Sequence, residues 1–247
     1  MTKTLRLAAD TATRPPRRQR GKRTEGFIAS PSGPGSWAPP MCIVRAMAHM
    51  GFAVQSDRDA LLAVVARVLA RRGYDHATIA EIAIESGRST RAIRRELGDV
   101  EDCFYALFSW TFHRTFAYVM DRTDGVPWPA SVRDGLGAFL ELLASAPVYV
   151  HANLSGVRAL GAQGSFRVET AVEAFTAFLT PGFERVTPDV VPGLTSELIG
   201  MQVVHVVTQY EVNDRVAQLP EALPGLVAMA LMPFCAAEDI DALLATS

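Results

Sequence analysis

Cysteine is scarce in this chain of 247 residues, and its three copies stand apart: Cys42, Cys103 and Cys235 form no C-x-x-C pair and are odd in number. That argues against a disulfide framework and a cysteine zinc cluster, and fits a reducing cytoplasm. Long apolar runs are also missing. No stretch approaches the ~18 uninterrupted apolar residues of a membrane span, and residues 41–54 are broken by Arg45 and His49. Arg17-Arg18 has the form of a twin-arginine signal, but no apolar segment follows it directly, so neither export nor a membrane is expected. The motifs of common chemistry are absent too: no G-x-S-x-G elbow, G-x-x-x-x-G-K phosphate loop, H-E-x-x-H helix or G-x-G-x-x-G fingerprint occurs. No catalytic residue, cofactor or enzyme activity is therefore expected. His113, His151 and His205 fall on separate expected helices with no ligand at the i+3 or i+4 spacing, so they read as satisfied core or pocket histidines and no metal site is expected.

Charge of one sign is lacking overall, with a net charge of −2, while 49% hydrophobic residues are ample for a buried core. The distribution is uneven. Residues 1–55 carry nine Lys or Arg against two Asp or Glu, and residues 111–247 carry seven against fifteen. The basic end is rich in Pro, Gly and Ser without helical or strand period, and reads as a disordered tail over residues 1–55. It is either an arm that follows a phosphate backbone or a dispensable extension set by a start codon upstream of Met41, Met47 or Met50. The second is preferred.

What is present begins at residues 78–97, TIAEIAIESGRSTRAIRREL. Thr78 and Glu81 make a capping box, Ile79, Ile82 and Ala83 form a small apolar face, and Gly87 supplies a left-handed helix end. Ser89 caps a second helix in which Ile93 and Leu97, four apart, face inward and leave Thr90, Arg91, Arg94 and Arg95 outside. This is a helix-turn-helix whose second helix fits a DNA major groove. A leading helix over residues 56–72 puts Leu61, Leu62, Val65, Val68 and Leu69 under it. Asp99 caps a following helix that runs to about residue 123 and joins this head to the rest.

Over residues 58–108 the chain resembles the tetracycline-repressor (TetR) family of transcriptional regulators, through LLAVVARVLARRGY, T-I-A-E-I-A, S-G-R-S and the acidic start Asp99 to Asp102. It departs where relatives carry tyrosine, histidine and phenylalanine at the end of the recognition helix, here Arg94, Glu96 and Leu97, and where they carry lysine, here Val100. The resemblance implies an all-α homodimer that binds a palindromic double-stranded DNA operator as a repressor and releases it on binding a small-molecule effector. Arg91 and Thr90 are the expected base contacts; Thr78, Ser89, Arg94 and Arg95 are the expected phosphate contacts. Residues 56–108 are the expected DNA-binding domain and residues 109–247 the ligand-binding and dimerisation domain. The alternative is a ligand-binding or scaffold protein of the same fold that has lost operator affinity, motivated by Glu96 and Val100.

Past residue 123, helices are expected at 129–145, 147–160, 165–180, 195–218 and 221–244, the last broken near Pro233. Valine-rich residues 203–207 sit in a long stretch without turn residues, so length favours helix over strand. The resemblance, rather than the apolar pattern, makes residues 195–218 and 221–236 the expected dimer interface, pairing with the same helices of a second chain. A cavity between the helices is expected to take the effector, with Trp110, His113, Tyr149, Asn153, Gln202 and His205 as candidate contacts.

Overall fold

Ser56 opens the first helix, α1 (Asp57–Arg72), its hydroxyl accepting from the Asp59 N–H at 3.1 Å, while Asp57 lies in the positive first turn and Arg71 and Arg72 in the negative last one. The apolar positions read inward from the sequence are inward: Leu61, Leu62, Val65, Val68 and Leu69 are at most 1% exposed. In this computed structural model residues 51–185 and 192–246 are described. The tail expected over residues 1–55 lies outside them as far as position 50. Gly51 is buried and Phe52 packs against Tyr149 with ring centroids 4.8 Å apart, so residues 51 and 52 belong to the packed chain rather than to the expected tail.

Both caps of the expected helix-turn-helix form. Thr78 and Glu81 close the capping box of α2 (Ile79–Ser86), and Gly87 ends it at φ 67°, ψ 18°, where a Cβ would be strained. Ser89 then accepts from Ala92 N–H and starts α3 (Thr90–Glu96). Asp99 and Asp102 form a second capping box at the head of α4 (Val100–Thr123). Phe104, fully buried, joins the core of these four helices to α6 (Pro147–Ala159). The approach is close because position 156 is glycine: a Cβ there would meet the Phe104 ring at 2.3 Å.

The remainder is α5 (Ala130–Ala144), α7 (Ala162–Thr176), a 3-10 turn at Ala177–Leu179 leading into α8 (Thr180–Phe183), α9 (Pro192–Val212), a 3-10 segment Val216–Ala222, α10 (Leu223–Leu231) and α11 (Ala237–Leu244). No strand occurs among the described residues, and residues 203–207 are helical as length predicted. The expected helix at 195–218 is shorter at its end. It stops at Val212 because Asp214 takes φ 55° and the Arg215 N–H turns back to the Tyr210 carbonyl at 2.8 Å. The expected break near Pro233 separates α10 from α11. No single helix among the described residues is long and apolar enough to cross a membrane.

One buried ion pair ties α1 to α4. The Arg114 guanidinium donates to Asp59 Oδ2 at 2.9 Å and to the Gly51 carbonyl at 3.3 Å, and the Trp110 indole N–H donates to Asp59 Oδ1 at 2.9 Å. Burial pushes the Asp59 carboxyl up, but the Gln55 N–H, Trp110, Ser56 and Arg114 outweigh it and hold the group below its ordinary value.

Candidate nucleic-acid interface and internal cavity

On α3 the buried Ile93 faces the core, and Thr90, Arg91, Arg94 and Arg95 are exposed on the opposite side together with the cap Ser89. Thr78, at the start of α2, is exposed as well. The three arginines make no ion pair among the described residues. The two glutamates of α2 do. Glu85 is held by Arg71 and Arg67, each at 2.8 Å, and Glu81 by Arg72 at 2.6 Å. These partners, with the Thr78 hydroxyl foremost on Glu81, keep both carboxyls below the ordinary glutamate range. Arg71 and Arg72 thus bridge α1 to α2 as well as suiting their own helix end.

Glu96 is the residue that sets this head apart in the sequence, and it is neutralised from within. Arg88, in the turn between the two helices, donates to its carboxylate at 2.6 Å and to the Asp57 carbonyl at 3.3 Å. Nothing in the sequence singles Arg88 out. Its spacing of eight from Glu96 spans the turn, and only the angle between α2 and α3 brings the two together.

The second feature is a partly open cavity of about 240 Å³ lined mainly by α4, α5, α6, α7 and α9. Its lining is apolar, with rings from Phe108, Phe112, Phe139 and Phe175 and side chains from Val203, Val204 and Val207, and no charged residue is in it among the described residues. Its polar atoms come from Thr111, Thr115, Tyr149, Asn153, Thr176 and Ser196. Asn153 donates from Nδ2 to Thr111 Oγ1 at 3.1 Å and to the Tyr149 carbonyl at 2.8 Å, whereas its Oδ1 is buried without a donor among the described residues.

Of the six candidate contacts, Tyr149 and Asn153 line this cavity; Trp110, His113, Gln202 and His205 do not. Trp110 is turned to Asp59, and the His113 ring, exposed, bonds the Ser109 carbonyl one turn back at 2.6 Å. Gln202 and His205 lie on the exposed outer side of α9. His151 pairs with Glu211 at 2.9 Å, and Arg158 grips the same carboxylate at 2.8 Å, pinning α6 to α9. Among the described residues no cluster of three or more His, Cys, Asp or Glu could hold a metal ion.

The architecture is similar to that of solved regulators. The fatty acid degradation regulator FadR from Bacillus halodurans superposes with a TM-score of 0.61 at 17% identity, over 70% of this chain and 97% of that one. The TetR-family regulator PfmR from Thermus thermophilus gives 0.56 at 19% identity, over 73% and 97%. This is the TetR-family fold. The transcriptional regulator FadR from Bacillus subtilis, solved in complex with stearoyl-CoA, shares the TetR-type fold at a TM-score of 0.61 and 14% identity, over 69% of this chain and 96% of that one. The sequence matches no protein-family model and no curated protein. In TetR-type terms, α2 and α3 are the helix-turn-helix and α4 the helix that leads from it to the cavity wall.

Proposed function

We propose that the chain is a homodimeric transcriptional regulator, a repressor that reads a palindromic operator through α3 and leaves it when a small molecule enters the cavity. The observation that carries this reading is the outer face of α3, where three arginines stand exposed and, among the described residues, without an ion pair, while Glu81, Glu85 and Glu96 of the same helix-turn-helix are each paired with another arginine. Arg91 and Thr90 are suited to base edges; Thr78, Ser89, Arg94 and Arg95 are suited to phosphates. Residues 56–108 then act as the DNA-binding domain and residues 109–247 as the effector and dimer domain, with α4 shared between them. Selection of bound sequences from random DNA tests it. Enrichment of two inverted half-sites about one helical turn apart, roughly 34–36 Å, is expected. Recovery of no motif would leave the rival, a ligand-binding or scaffold protein of this fold without an operator.

The Arg88 and Glu96 pair separates these readings further. With Arg88 in place the Glu96 charge is cancelled before it meets the duplex. Arg88→Ala is therefore expected to weaken binding to every DNA sequence alike, and Glu96→Gln to strengthen it, measured by fluorescence anisotropy over a salt series.

Dimerisation is proposed for the outer face of α9. Its inner side lines the cavity, yet its outer side is apolar too: Leu194, Leu198, Met201 and Val212 recur at helical spacing and are 54%, 62%, 43% and 65% exposed. Packing α9 and α10 against the same pair of a second copy would cover it. Leu198→Glu puts two like charges into that interface, and sedimentation is expected to shift from dimer to monomer with helical content kept.

The effector is proposed to be an apolar small molecule. A lining without charge supports this, and the long acyl group in the Bacillus subtilis FadR complex is consistent with it. Phe104 and Leu107 of α4 lie in the core beneath the helix-turn-helix, while Thr111, Phe112, Thr115 and Val119 line the cavity. A ligand that displaces α4 thereby acts on both halves.

A further inference from the structure

Resting on the cavity as the effector site, we infer that its ligand is electrically neutral and presents a hydrogen-bond donor, a hydroxyl or an N–H, to Oδ1 of Asn153. The direction of the local hydrogen bonds fixes which atom is left over. The Thr111 hydroxyl gives its only proton to the Phe108 carbonyl at 2.9 Å, so its oxygen can only accept from Asn153. The Tyr149 carbonyl can only accept as well, and lies 2.8 Å from Asn153 Nδ2. Both neighbours demand the amide N–H₂. Rotating the amide by half a turn would set its oxygen 2.8 Å from the Tyr149 carbonyl, which has no proton to give, so the amide oxygen is the free end. That oxygen is buried in a wall of apolar side chains, where an acceptor without a donor is costly. The oxygen has almost no accessible surface in this structure, so a donor on the ligand reaches it through a small turn of the Asn153 side chain, and a ligand with only acceptors gains nothing from that turn.

The rest of the wall decides the charge. Among the described residues no lysine, arginine or histidine lines the cavity, so a carboxylate or phosphate inside it would lose its water with no cation in return. A cation would find no carboxylate. The class that fits is an apolar molecule carrying one neutral donor, such as a long-chain alcohol or a hydroxylated hydrocarbon.

Matched probes test this on the full chain, read by displacement of the neutral dye Nile red. 1-Decanol and 1-methoxynonane are isomers that share bulk and an oxygen and differ in the donor. 1-Decanol is expected to bind roughly five- to tenfold more tightly than the ether, the factor one hydrogen bond supplies, and more tightly than decanoate at about pH 8, where the carboxylate is fully ionised. In Asn153→Leu the alcohol and the ether should become equal while the dye still binds. Equal affinities in the unaltered chain, or tighter binding of decanoate, would overturn the inference while leaving the cavity a ligand site. Failure of the dye and of every probe to bind would instead remove the cavity reading itself. The comparison in the unaltered chain stands even where Asn153→Leu does not fold.

Discussion

Arg114→Ala is expected to lower the stability of the chain by about 3–5 kcal/mol, read as a fall in the urea midpoint, because it strands the Asp59 carboxylate inside the protein. The pair is buried, with side-chain exposures of 3% for Arg114 and 11% for Asp59, so solvent does little to replace the lost partner. The Gln55 and Trp110 N–H groups would still donate to Asp59, but the Gly51 carbonyl would lose its donor too. The double variant Asp59→Asn, Arg114→Met should recover part of the loss, since no charge remains to be compensated and the amide oxygen still accepts from Trp110, while the amide nitrogen is left facing the Gln55 N–H. Acid gives an independent check. Asp59 titrates below its ordinary value of 3.8 in the folded chain, so its contribution is complete above that pH and disappears as the pH falls below it. The Arg114→Ala chain should therefore lose less stability than the parent between about pH 4 and pH 2. A midpoint unchanged by Arg114→Ala would show that α1 is held to α4 by apolar packing alone.

Arg91→Ala is expected to cost about 1–3 kcal/mol of operator affinity and to relax the preference at one base position per half-site, as the loss of a bidentate contact to a base edge does. Arg94→Ala should act differently: weaker binding to all sequences, with the slope of log affinity against log salt reduced by about one unit. The contrast arises from place on the helix. Arg91 stands in the first turn of α3, the end that recognition helices of this kind bring nearest the bases, and Arg94 in the last. Anisotropy titrations against the selected operator and against scrambled DNA measure both. Unchanged affinity and selectivity in the two variants would show that α3 is not the reading element.

The parts of this molecule that are legible in the sequence are those set by near neighbours along the chain. Thr78 and Glu81, Asp99 and Asp102, and Gly87 act within one turn of backbone, so their spacing alone predicts the bonds that form. Leu61, Val65 and Leu69 are legible for the same reason, since they recur four apart along one helix; Val64 and Ala66, buried on its other sides, are not. The cavity is less so. Helix α9 is apolar on both sides, and no periodicity says which side turns inward; Gln202 and His205, expected in the cavity, lie on the other face. Trp110 and His113 fail differently. Each has an attractive polar group, but a partner 51 residues away in one case and a carbonyl four residues back in the other already engages it. Asn153 is visible because a lone amide among apolar positions is conspicuous. Its free oxygen is not, because that depends on Thr111 and Tyr149 from two different helices.

The length of α4 has a consequence for how small a movement in the cavity could be felt at the DNA. Its 24 residues make a rod about 36 Å long. Pivoted at the Thr123 end, a tilt of roughly 5° would carry the other end through about 3 Å, and in the proposed dimer two subunits moving apart would add about 6 Å to the distance between their α3 helices. That is close to two base-pair steps of about 3.4 Å each. A change in the cavity no larger than the difference between a hydroxyl seated on Asn153 and one withheld could then move a pair of α3 helices out of phase with the groove.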